Sequence, residues 1–161
     1  AAASCHVPEP DAWQVRELHA RILAPLNREG PSSYEVRAEL RNLMQMKVGV
    51  VRDGPALREA LARIEELLRE AIPRLAARNR GRVYNPEWIE CLQTANLATT
   101  MAMVARGALT REESRGAHFR RDYRRTDNAR WLKHIVQRLV DGRVELRLDA
   151  VETPYMQPPQ E

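Results

Sequence analysis

Residues Thr110–Tyr123 read TREESRGAHFRRDY, and this stretch divides the chain into two kinds of sequence. It gathers four arginines, a histidine, hydroxyls, carboxylates and a helix-ending glycine into fourteen residues. Upstream of it, apolar residues recur at helical spacing; downstream, the chain turns basic and then alternates. A helical bundle seldom needs so dense a polar cluster at one end, so this is where function or a partner is expected.

Working upstream, Leu57, Leu61, Ile64, Leu68, Ala71 and Leu75 repeat every three or four residues, the seam of a bundle. On the wet side Glu59/Arg63, Glu65/Arg69 and Glu70/Arg74 sit four apart with the acid first, which predicts intrahelical pairs on a solvated face. Asp53-Gly54-Pro55 starts this helix after an extended Val50-Val51-Arg52, and Pro73 shortens its last turns. Earlier, Ser32 and Glu35 form a capping box ahead of Val36, Leu40, Leu43 and Met44, with Gly49 as the stop. Asp11 with Gln14 opens a first helix whose stripe is Val15, Leu18, Ile22 and Leu26. After a basic loop at 79–84, Asn85-Pro86 opens a helix that is apolar on nearly every side from Trp88 to Ala105, the mark of a central element. Within it Asn96 reads as a satisfied core amide or as a hydrogen-bond link to another domain, the first being favoured, and the methionines as core filler.

Gly107 reads as an interruption of that helix. Thr110 with Glu113 has capping-box spacing, which predicts a short helix through Glu112 and Ser114 that stops at Gly116. Past Arg125, Trp131–Val140 and Arg143–Val151 are β-prone runs separated by Asp141-Gly142, the strongest short hairpin signal. Val144, Leu146 and Leu148 alternate there with Glu145, Arg147 and Asp149. The expected fold is mainly α: an up-and-down three- or four-helix bundle, spectrin-repeat-like, followed by a short C-terminal β-hairpin. Residues 1–31 are read as linker plus N-terminal helix and 32–109 as the bundle core. Residues 110–161 carry the ESRGAH segment, a basic loop and the hairpin and tail of the same domain.

Composition agrees with one globular domain: 161 residues, 43% hydrophobic and 30% charged. The net charge of +4 is uneven, since residues 106–147 hold 12 basic against 6 acidic side chains and the remainder 14 against 16. The last third therefore faces something acidic or polar. Cys5 and Cys91 fit no metal spacing and suggest a reduced, intracellular protein. The start AAASCHVPEP lacks the basic and apolar regions of a signal peptide. The apolar window Ile89–Leu109 contains Glu90, Gln93, Asn96 and Arg106, so a buried helix is expected and no membrane span.

Seven dispersed glycines form no phosphate-cradling loop, and His118 and His134 have no cysteine near them to make a zinc site. Ser114 lacks the surroundings of an elbow nucleophile. His118 has the spacing of an acid–base pair with Asp122, although a histidine held by a carboxylate or carbonyl for structural reasons is the commoner case. No catalytic, cofactor-binding or metal-binding residue is assigned within the chain. Phe119, Tyr123 and Trp131 are interleaved with Arg120, Arg121, Arg124, Arg125 and Arg130, a mixture that suits single-stranded nucleic acid. Acids persist throughout, however, and no nucleic-acid motif accompanies them.

The segment Glu113–His118, followed by Arg120, Asp122-Tyr123, Asp127 and Trp131-Leu132-Lys133-His134, resembles the C-terminal domain of the flavoprotein subunit of succinate dehydrogenase and fumarate reductase. That family carries ESRGAH-x-R-x-D-[YF], an acidic loop and W-L-K-H. Arg37-x-Glu39-Leu40 through Met44, Val48-Gly49-Val50 with Arg52, and Tyr84-Asn85-x-Glu87-Trp88 are similar to the family's upstream stretches, so the likeness covers roughly residues 32–150. The loop Arg124–Ala129 is more basic than the family's usual version. L-Aspartate oxidase shares the architecture, but its members tend to have leucine where Ala117 stands.

The resemblance implies a fragment of a larger oxidoreductase, inactive alone. FAD and the dicarboxylate would be held by flavin-binding and capping domains that this chain lacks, and electrons would pass to an iron–sulfur subunit. The location implied is cytoplasmic, peripheral to the inner face of the membrane. This chain's part would be scaffolding, with Glu113, Ser114, Arg115, His118, Arg120, Asp122, Trp131 and His134 forming the interdomain interface. Arg115, His118 and Asp122 are expected to touch one another or share a face near the end of the bundle. The alternatives are an L-aspartate oxidase domain and a free-standing helical adaptor or RNA-binding module.

Overall fold

The computed structural model describes residues 9–156. Helix α1 spans Ala12–Leu23, α2 Ser33–Lys47, α3 Gly54–Glu70 and α4 Pro86–Thr110. The side chains of Asp11, Ser32, Asp53 and Asn85 each accept a backbone N–H from the first turn of the helix that follows. Every helix start is thus written locally as a short polar cap, and α3 and α4 add a first-turn proline.

Helices α2, α3 and α4 pack into a three-helix core. The α3 seam lies in it as its spacing predicts: Leu57 and Ile64 are fully buried, and Ala60 and Leu67 join them. Burying each of the larger side chains stabilises the fold by about 1.5–3 kcal/mol. The face that α4 buries is a row of small residues, Cys91, Thr94, Ala98, Ala102, Ala105 and Ala108, which lets α2 and α3 approach closely. Its larger apolar residues are less enclosed than the sequence suggests. Met101 packs against the core, but Met103 and Val104 are more than 40% exposed. Asn96 is exposed and not a core amide.

The expected pairs along α3 are replaced by pairs between helices. Glu59 binds Lys47 of α2, Arg63 binds Glu39 of α2 and also Glu66, and Glu65 binds Arg106 of α4. Three of these four pairs reach a neighbouring helix, and Arg63–Glu66 alone stays within α3. These pairs are partly solvated, so each contributes about 0–1 kcal/mol and serves mainly to fix helix orientation.

Helix α1 lies outside this core. Val15 and Leu18 of its stripe are exposed, and only its C-terminal end docks, where Trp88 Nε1 donates to Ile22 O at 2.7 Å and Leu26 is buried. Two further corrections concern the end of α4. Gly107 does not interrupt it; the helix runs through to Thr110, and a Cβ at Gly107 would lie 3.3 Å from Gln137 Nε2 of the hairpin. No helix follows at 110–116, because the Thr110 hydroxyl turns back to Arg106 O and caps nothing.

Strand β1, Val51–Arg52, pairs in parallel with β2, Phe119–Arg120, joining the start of α3 to the polar stretch. Asp127 then caps a single turn, α5, at Asn128–Trp131, so Trp131 is helical and not the first residue of a strand. Strands β3, Lys133–Val140, and β4, Arg143–Ala150, form the antiparallel hairpin. Its turn holds Asp141 at φ 49° and Gly142 at φ 75°, the left-handed pair that a two-residue hairpin loop requires. Among the described residues, no helix is long and apolar enough to cross a membrane.

Candidate interdomain interface

Arg120 is the centre of the polar knot. Its side chain is 2% exposed and nearly all of its donor capacity is used. Nε and Nη2 grip the two oxygens of Asp122 at 2.8 Å each, and Nη1 reaches the carbonyls of Ala108, Leu109 and Arg111 at 2.9–3.2 Å. Those carbonyls close the end of α4 and include ones left without partners within the helix. Asp122 in turn accepts Gly54 N–H at 2.9 Å, at the first turn of α3. One ion pair therefore places a cation at the negative end of α4 and an anion at the positive end of α3. Gly54 makes room for it: a Cβ there would stand 2.9 Å from Asp122 Oδ2 and 3.4 Å from Arg120 Nη2.

A second ion cluster lies beside it. Glu113 is fully buried, and its oxygens accept from Arg111 Nη1, from Arg115 Nε and Nη2, and from Asp127 N–H. Arg111 also donates to Trp131 O and Lys133 O, which ties the hairpin to the end of α4. Arg115 adds a bond to Asn128 Oδ1. The Ser114 hydroxyl accepts Arg120 N–H at 2.8 Å and donates to Tyr123 O at 2.7 Å, closing the loop between the two clusters. Gly116, at φ 57°, turns the chain so that Arg115 and His118 exchange both backbone hydrogen bonds.

His118 does not pair with Asp122. Its Nδ1 lies 2.7 Å from Arg52 Nη1, and its Nε2 lies 3.3 Å from Arg111 O. An arginine only donates, so Nδ1 accepts and Nε2 carries the proton, which fixes one tautomer of the neutral ring. Burial lowers the His118 pKa first, and the charges of Arg52, Arg120 and Arg111 add to that, opposed only by the carbonyl of Arg111. The ring is therefore neutral near pH 7.

Both knot carboxylates are held ionised. The Arg120 fork brings Asp122 from its ordinary 3.8 down to about 2. Burial pushes Glu113 upward, but the bonds from Arg115, Asp127 N–H and Arg111 together outweigh it and leave its pKa lowered. A depressed native pKa contributes stability that is complete above the unfolded value and lost as pH falls through the native one. Chemical-denaturation midpoints are therefore expected to fall steeply between about pH 4 and pH 2. An Asp122→Asn variant should be less stable at neutral pH and show a flatter acid limb; an equally steep limb would refute this assignment.

The expected contact among Arg115, His118 and Asp122 side chains is not formed. Each binds a different partner around the same end of the bundle, and Arg120 occupies the central place expected of Arg115. Glu113, Ser114, Arg120 and Trp131 are buried within the chain, whereas Arg115 and His118 are half-buried and His134 is exposed. Phe119 and Tyr123 flank them at 38% and 37% exposure, with the Arg120 guanidinium 4.9 Å from the Tyr123 ring centre. Sequence reading did not single out Arg111, which follows the helix with no periodic signal. Arg52 was visible only as part of the stretch Val48-Gly49-Val50-x-Arg52.

A three-helix bundle closed by such a knot and extended by a hairpin is a small helical domain with a buried ionic joint at one end. The chain belongs to the family described as fumarate reductase flavoprotein C-term, which it matches over residues 37–161. It is 37% identical over 112 residues to the fumarate reductase flavoprotein subunit of Helicobacter pylori, covering 69% of this chain and 16% of that protein. It is 37% identical over 123 residues to the succinate dehydrogenase flavoprotein subunit of Coxiella burnetii, covering 76% of this chain and 20% of that protein. An L-aspartate oxidase of Streptomyces coelicolor is 31% identical over 149 residues, covering 88% of this chain and 25% of that protein. Among solved structures, Mycobacterium smegmatis Sdh1 in complex with UQ1 superimposes at a TM-score of 0.85 with 31% identity, over 97% of this chain and 26% of that one. The chain thus spans about a fifth of the length of the curated relatives it matches.

Proposed function

We propose that this chain is the scaffold domain of an FAD-dependent flavoprotein that interconverts succinate and fumarate. Flavin and dicarboxylate are held by domains outside it, and FAD, when bound there, supplies the hydride chemistry. This chain's residues hold those domains in register. The observation that carries the reading is the state of the knot: Glu113 and Asp122 are both committed to arginines, and His118 is neutral with both ring nitrogens engaged. Such groups support a rigid joint and are poorly placed to move protons. Buried Glu113, Ser114, Arg120 and Trp131 shape the joint, while Arg115, His118, Asp122 and His134 lie at its rim, where a partner domain would meet them. In this reading the intact subunit passes electrons to an iron–sulfur subunit at the cytoplasmic face of the membrane, and no nucleic acid is bound.

The test compares the full-length subunit with one lacking residues 9–156, measuring FAD per polypeptide and succinate-linked dye reduction. Both quantities are expected to fall at least ten-fold in the truncated protein, and Arg115→Lys should lower flavin retention in the intact one. Unchanged flavin and turnover after truncation, or fumarate reduction by the isolated chain, would overturn the proposal. Assay with L-aspartate separates it from the aspartate oxidase reading.

A further inference from the structure

Between the C-terminal half of α4, strand β1 and strand β3 lies an open cleft of about 530 Å3. One wall is apolar, with Met103, Val104 and Ile135; the other carries Arg52, His118 and His134. Arg52 is the unusual member. Its Nε donates to the carbonyls of Val48 and Gly49, and Nη1 meets the neutral imidazole of His118. All three partners are uncharged, and no carboxylate among the described residues pairs with this half-buried cation. A guanidinium has five N–H groups, so the outer edge formed by Nη1 and Nη2 keeps donors with no hydrogen bond among those residues. That edge has the spacing for a two-point grip on a carboxylate.

The surroundings prepare it for an anion. Arg52 is fixed at its base by two backbone carbonyls and at one side by His118, so little side-chain freedom remains to be lost on binding. Burial and the nearby charge of Arg120 both work against its protonated form, and an incoming carboxylate relieves both. Arg111 faces the same cleft but has already engaged Glu113, Trp131 O and Lys133 O. The positive charge at the mouth of the cleft therefore rests on Arg52.

We propose that Arg52 is a docking anchor for an aspartate or glutamate side chain on the flavin-bearing part of the same polypeptide, with the apolar wall covering the segment that presents it. This rests on the scaffold reading above and names the contact that reading leaves open. The occupant is a protein carboxylate because the cleft is open and its lining mixes apolar side chains with Arg52, which suits a chain segment carrying one acid. The relatives also have four fifths of their length outside the matched region to supply it.

The experiment uses the full-length subunit carrying Arg52→Lys and a zero-length carbodiimide, which joins an amine to a carboxylate in contact with it. The chain has only two native lysines, Lys47 and Lys133, so a product at position 52 is readily assigned by mass spectrometry. The expected result is one dominant crosslink from position 52 to an acid outside residues 1–161, absent in Arg52→Gln. In Arg52→Gln, hydrogen exchange at Thr100–Val104 and Ile135–Gln137 should also accelerate at least ten-fold. Crosslinks only to acids within residues 1–161, or none with exchange unchanged, would overturn the proposal. So would saturable shifts of the His118 ring signals when succinate alone is added to the isolated chain, since the occupant would then be a small dicarboxylate. The scaffold reading is decided separately, by the loss of flavin and turnover on truncation, whichever way Arg52 behaves.

Discussion

Replacing Arg120 by methionine is expected to destabilise the isolated chain by about 3–5 kcal/mol, the cost typical of removing one partner from a buried ion pair. The methionine would fill much of the volume but supply no donor. Asp122 would keep Gly54 N–H and lose its fork, and the carbonyls of Ala108, Leu109 and Arg111 would lose a shared donor inside the protein. For a domain of this size the change corresponds to a fall of about 10 °C in Tm. Asp122→Asn should cost less, because the Asp122 side chain is 34% exposed and water can serve what remains. Arg120→Lys should fall near the methionine variant, since one ammonium cannot grip Asp122 at two points and also span the end of α4. Urea unfolding of the three variants checks the order. A loss below 1 kcal/mol for Arg120→Met would mean that the apolar core holds α3 and α4 together without the knot.

What could be read in the sequence was what neighbours in sequence decide. Each helix start is a capping side chain two or three residues from the amide it serves, and the Asp141-Gly142 turn closes within four residues. The α3 seam was legible because Leu57 and Ile64 face one side of a single helix, whereas Leu75, also buried, lies beyond the helix end that Pro73 helps to set. The knot was legible as a place, from its density of charge, and as a resemblance. Its wiring was not. The capping-box spacing of Thr110 and Glu113 has no helix to serve, because Arg111 and Arg115 claim the Glu113 carboxylate and a later residue, Arg120, seals α4. The Arg52–His118 contact joins positions 66 apart through a two-residue parallel pairing that no periodicity announces. Helix α4 illustrates a subtler failure. Its nearly uniform apolarity marks a central element, but alanines line the packed face and methionine and valine the open one, so composition could not say which side is inside.

Glu113→Gln is the sharper of the two large-effect substitutions because it changes charge with almost no change of shape. Glu113 receives four donors: one from Arg111, two from Arg115 and the N–H of Asp127. A glutamine can accept on one oxygen only, so its NH2 group must face two donors wherever it is turned. Two guanidiniums would also lose the one carboxylate between them. The expected cost is about 3–5 kcal/mol, read as a lower urea midpoint at pH 7. The damage should also be directional. Asp127 N–H is held by Glu113, and Asp127 caps the turn that carries Trp131, so residues 124–131 should exchange amide hydrogens faster than the α2–α3 core. Glu113→Leu removes the misplaced NH2 but leaves the arginines uncompensated, and it should be no more stable than the glutamine variant. If Glu113→Gln instead unfolds within 1 kcal/mol of the unmodified chain and its loop exchanges no faster, the arginines have found water or other acids. The joint would then be held by the β1–β2 pairing and Arg120 alone.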